Sequence, residues 1–134
     1  MSDLESALEC LRSFATPPYA ERLGGLLQAG KRTTRRKVVD ALAHFSGWRE
    51  ECAHRVPSSL QSPAALEEYA TKHGAQSTCY VLSEDPDLDD RRLALKEALD
   101  QLVGSGMGSL VVLSPAPMAL YLGEEQGDVT FLKW

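Results

Sequence analysis

Residues Ser109 to Trp134 read SLVVLSPAPMALYLGEEQGDVTFLKW, and this stretch decides the fold. Ser109 to Ser114, Met118 to Leu122 and Val129 to Trp134 are β-branched, aliphatic and aromatic runs of strand length. Pro115-Ala116-Pro117 and Glu124-Glu125-Gln126-Gly127 separate them, so three strands joined by short antiparallel links are expected. Ser77 to Ser83 (STCYVLS) has the same character and predicts another strand. Between it and Ser109, a helix is expected from about Asp90 to Val103, with Leu93, Leu95, Ala98, Leu99 and Leu102 apolar. Gly104-Ser105-Gly106 ends that helix. The resulting β-α-β-β-β order allows a parallel, right-handed crossover followed by hairpins, hence a four-stranded mixed sheet. One face of the sheet would lie under the crossover helix and the N-terminal helices.

Upstream, the periodicity is helical. Ser2 and Glu5 have capping-box spacing, and Leu4, Ala7, Leu8, Leu11 and Phe14 form one stripe. Thr16-Pro17-Pro18 ends that helix and opens a second, which uses Leu23, Leu26 and Leu27 and stops at Gly30. Thr33 or Thr34 would cap a third helix, with Val38, Val39, Ala41, Leu42 and Phe45 inward and Gly47 as its stop. A short helix is expected over Trp48 to Arg55, and another from Ser62-Pro63 through Leu66, Tyr69 and Ala70 to Gly74. The fold class is therefore α+β: a helical part of about four to five helices over 1–75, then a sheet part over 76–134. The two parts form one domain, with no repeat or long linker between them.

The chain has 134 residues, 43% of them hydrophobic, and a net charge of -5. That is enough for an ordinary core, and no apolar run reaches the roughly 20 residues that span a bilayer. The acidic start, Met1-Ser2-Asp3-Leu4-Glu5, lacks the pattern of a secretory signal. Cys10, Cys52 and Cys79 are few and scattered, which suits a reducing compartment, so a cytoplasmic location is expected. The segment from Tyr80 to Glu125 has the look of a compact bacterial domain, with no tie to a family of known chemistry.

Charge is unevenly spread. Residues 1–67 carry nine Lys/Arg and eight Asp/Glu, and residues 68–134 five and eleven. Lys31, Arg32, Arg35, Arg36 and Lys37 put five cations into one turn and the start of a helix, where they oppose the helix dipole. They are the candidate partner-binding residues, for an acidic protein surface or, through a helix-turn-helix over 19–45, for phosphates. An acidic protein ranks ahead of nucleic acid, since the run has no base-stacking aromatic and the whole chain is acidic. The bland reading is a solvated face, or pairing with the acidic loop Glu84 to Asp90.

That loop holds five carboxylates and raises the question of a cation. As a calcium loop from Asp85 it fails at its turn position (Asp90 for Gly) and its closing position (Lys96 for Glu). Acids before a helix also serve as caps. Gly104 to Ser109 runs from helix into strand, the wrong direction for a phosphate cradle. Cys52 with His54 offers two ligands where zinc needs four. His44 and His73 read as helix-end residues. No catalytic residue, metal or cofactor is assigned.

Met118, Leu120 and Leu122, with Val129, Phe131 and Trp134, place large side chains on both sides of the last strands. This predicts a homodimer through the C-terminal sheet. The leading functional expectation is a small non-enzymatic accessory or interaction protein that works through a protein-binding surface. The alternatives are a nucleic-acid module using 31–37, and a small-ligand binder or enzyme with a cleft between sheet and helices.

Overall fold

In the computed structural model, which describes residues 1–134, four α-helices precede the main strands. They are α1 (Asp3–Phe14), α2 (Pro17–Ala29), α3 (Arg32–Leu42) and α4 (Pro63–Lys72). Ser2 accepts the Glu5 amide and Ser62 the Ala65 amide, so both serines cap as their spacing requires. Gly30 closes α2 in the left-handed region at φ 70°. α3 begins earlier than expected. Lys31 is its N-cap, and Thr34 sits inside the first turn, accepting the Lys31 amide at 3.2 Å.

The sheet is larger than the expected four strands and is not mixed. Six strands, β1 (Ala53–Arg55), β2 (Thr78–Ser83), β3 (Arg91–Ala94), β4 (Ser109–Leu113), β5 (Ala119–Leu122) and β6 (Val129–Leu132), run in the order β1-β6-β5-β4-β2-β3. Every neighbouring pair is antiparallel. The two added strands replace predicted helix. Residues 53–55 do not form the short helix expected over Trp48 to Arg55 but pair with β6 at one edge. Residues 91–94 are not the first turn of the crossover helix; they fold back on β2, with Cys79 opposite Leu93. Asp90 makes that reversal at φ 62°, so α5 spans only Leu95–Leu102. A helical crossover does exist, from β3 to β4, but β2 lies between them and no parallel ladder forms.

The second correction concerns the faces. Helices cover both. On one side, Leu11, Phe14, Leu23 and Leu42 of α1–α3 pack with Tyr80, Leu82, Val112 and Tyr121. On the other, Leu66, Ala70, Leu95 and Leu99 of α4 and α5 pack with Cys79, Val81, Leu120 and Phe131. Alternate residues of β2 thus enter different cores, which is why its sequence is apolar at nearly every position. Each fully buried Leu contributes roughly 1.5–3 kcal/mol.

This arrangement also places the last strand within the sheet. β6 lies inside the sheet between β1 and β5, and all four of its residues are buried. The residues that prompted the dimer expectation meet partners within the chain, and only Trp134 stands out in solvent. Both edges are short, and the β3 edge carries Arg91 and Arg92, features that oppose strand addition. No helix is long and apolar enough to cross a membrane.

Candidate functional site

The basic turn and the acidic loop, 54 residues apart at Arg35 and Asp89, meet beside α3. Arg35 makes the junction. Its Nε donates to Asp89 Oδ2 at 2.8 Å and its Nη2 to Asp89 Oδ1 at 3.0 Å. This two-pronged geometry is the strong form of an Arg–carboxylate pair. Nη1 lies 3.8 Å from Asp90, and the guanidinium carbon lies 5.8 Å from the centre of the Tyr80 ring. Both charged side chains of the main pair are only 20% exposed. Burial works against the Arg35 charge, but the hydrogen bonds and charge of Asp89 outweigh it and hold the guanidinium above its ordinary range.

The loop that presents Asp89 is tied down along its length. Leu88 is fully buried. Asp89 also accepts the Ser83 amide, Ser83 accepts the Asp85 amide, and the Ser83 and Ser109 hydroxyls meet at 2.7 Å. Glu84 accepts the Gly108 amide at 2.8 Å. Gly108 is required there, since a Cβ would come within 2.5 Å of the Ala43 Cα. The glycine-rich Gly104 to Gly108 segment is thus a close backbone passage into β4, not a phosphate cradle. Asp90 takes the Tyr80 hydroxyl at 2.6 Å. Burial, and then this bond to a carboxylate, raise the Tyr80 phenol above its ordinary range.

With Arg35 engaged, the rest of the turn faces outward. Lys31, Arg32, Arg36 and Lys37 are exposed. Arg36 has only Asp40, one helical turn on at 3.6 Å, as an exposed partner. Arg32 and Arg36 form one side of a cleft of about 300 Å³, with Glu84 and Pro86 opposite and Asp89 beside Arg35 between them. A larger cleft, about 540 Å³, lies between the end of α5 and the β5–β6 turn. The first lies between α3 and the end of β2 with its following loop, and the second is lined mainly by loops.

The dispersed candidates stay apart. Burial pushes the Cys10 and Cys79 thiols up to about 12 and raises that of Cys52, so none is a ready thiolate at neutral pH. Cys52 faces the carbonyl of Arg49, whereas His54 bonds the Lys133 carbonyl. His73 ends α4 and bonds the Tyr69 carbonyl. His44 is exposed and pairs with Glu124 at 3.1 Å. No three His, Cys, Asp or Glu side chains converge as a metal would need.

Sequence reasoning singled out the five cations and, as their bland alternative, pairing with the acidic loop, which Arg35 makes with Asp89; it did not single out Tyr80 as part of that setting. The opposite charge of segments 31–37 and 84–90 was the available signal. Comparisons with family models, curated proteins and solved structures find no match for the chain.

Proposed function

We propose that this protein is a small, non-enzymatic interaction protein that binds an acidic partner protein through the basic turn. The observation that carries the reading is the division of labour within the five cations. Arg35 is bound into the fold by Asp89, while Lys31, Arg32, Arg36 and Lys37 are left in solvent. Lys31 and Arg32 stand at the positive end of α3, whose first turn holds no acidic residue. Each of these two opposes the helix dipole by a few tenths of a kcal/mol, a cost that a binding role explains. The Arg35–Asp89 bridge and the cross-tied loop behind it hold the surface in one shape before a partner arrives, which lowers the ordering cost of binding. Three unpaired, buried cysteines fit a reducing compartment such as the cytoplasm.

The test is quantitative affinity capture from the source cell with the full chain and with the variant K31E/R32E/R36E/K37E, in which Arg35 is kept. The expected result is an acidic protein retained by the native chain and lost by a variant whose circular dichroism is unchanged. Retention of the same proteins by both would contradict the reading.

A further inference from the structure

The cleft beside Arg35 says more about the partner than the exposed cations alone. Its walls come from different parts of the chain: Arg32, Arg36 and Val39 follow one stripe of α3, and Ser83, Glu84 and Pro86 face them from the end of β2 and the loop after it. At about 300 Å³ it sits at the bottom of the roughly 300–1,000 Å³ range of small-molecule pockets, a size that suits a single side chain. Its lining charges balance, with Arg32, Arg35 and Arg36 against Asp40, Glu84 and Asp89. They are not equally available. Arg35 and Asp89 neutralise each other, Glu84 holds the Gly108 amide, and Arg36 has only the exposed Asp40. The guanidiniums of Arg32 and Arg36 are therefore the donors free to take a new acceptor.

Resting on the partner-surface reading above, we propose that this cleft receives a carboxylate side chain from an acidic peptide segment, held by Arg32 and Arg36. One carboxylate offers two acceptor oxygens to a planar guanidinium and brings a single negative charge. A phosphate backbone brings closely repeated charges, and with one phosphate between Arg32 and Arg36 its neighbours would meet Asp40 and Glu84 on a chain of net charge -5. The mixed wall thus selects an acidic peptide over nucleic acid, and Asp40 and Glu84 are the specificity-determining residues.

The experiment follows the arginine Nε–Hε and backbone amide signals of the isotope-labelled full chain by NMR. The probes are a blocked peptide with a single Glu among Gly and Ser residues and, separately, a short mixed-sequence DNA duplex. The expected result is movement of the Arg32 and Arg36 side-chain signals with peptide, a still Arg35, and peptide affinity lowered roughly tenfold in R32Q/R36Q. The duplex should bind more weakly than the peptide, and D40N/E84Q, which keeps an acceptor for the Gly108 amide, should strengthen duplex binding. Shifts confined to Lys31 and Lys37 would overturn the cleft assignment while leaving the basic surface as the binding region. A duplex that binds native protein as tightly as the peptide would overturn the choice of partner, and no gain in D40N/E84Q would overturn the role of the facing carboxylates. If neither probe moves any signal of residues 31–37, the cleft and the surface reading fail together.

Discussion

The two helical layers bury clusters of similar size against the same sheet, yet they are built differently. The α4–α5 layer is held by apolar contact, with Leu66, Leu95, Leu99 and Phe131 at its centre. The α1–α3 layer adds directional bonds. Tyr121 donates to the Leu42 carbonyl and accepts the Phe45 amide, and Arg35 and Tyr80 bind the two aspartates that end the acidic loop. Apolar contact fixes how much surface is buried, and hydrogen bonds fix which residues stand opposite one another. The layer that carries the basic surface is the one whose register is set by polar bonds.

The largest expected effect tests what the layers share. Each contains a buried thiol, Cys10 against α1–α3 and Cys79 against α4–α5. Both are raised from 9.0 to about 12, first by burial. Their protonated forms belong to the folded state, so this contribution is complete below about pH 9 and is lost as pH rises toward 12. An alkaline unfolding titration should show stability falling over that window, and C10A and C79A should each shift the transition to higher pH. A transition unmoved by either substitution would mean the thiols play no part in it.

Next in size is a change in the apolar layer. Phe131 is almost fully buried beneath the rings of Tyr69 and His73. Phe131→Ala should cost roughly 3–5 kcal/mol in urea unfolding, with an unchanged slope. In the polar layer, Tyr121→Phe removes one hydroxyl and leaves the Leu42 carbonyl and Phe45 amide without it, for about 1–3 kcal/mol. A loss below about 0.5 kcal/mol would show that these bonds do not set the register.

Much of the fold is visible in the sequence because local signals agree there. Ser2, Thr16-Pro17-Pro18, Gly30 and Ser62 mark helix ends that the structure keeps. The missed strands have a common cause. Arg91–Ala94 and Ala53–Arg55 are edge strands of three or four residues with few buried side chains, so their pairing depends on neighbours far along the chain. Leu95, Ala98, Leu99 and Leu102 keep helical spacing, whereas Leu93, two residues before Leu95, falls off that stripe and pairs opposite Cys79 in the sheet. The site shows the same limit. Residues 31–37 announce themselves by charge, but that Asp89 would take Arg35, and not one of its four neighbours, is decided by the packing of α3 on β2 and β4.

The smallest expected effect runs in the opposite direction from the others. Lys31→Glu removes a cation from the start of α3 and should raise thermal stability by a few tenths of a kcal/mol, while weakening capture of an acidic partner. A loss of stability would mean that Lys31 supports the fold.

Double-mutant cycles on two arginine–aspartate pairs of α3 test most directly whether the basic run is divided between fold and surface. One cycle uses R35M and D89N, the other R36M and D40N, each read by urea unfolding. The account predicts a coupling of roughly 1–3 kcal/mol for Arg35–Asp89 and below about 0.5 kcal/mol for Arg36–Asp40. Equal couplings would contradict it, because Arg35 would then be one more surface cation and the run would have no division to explain.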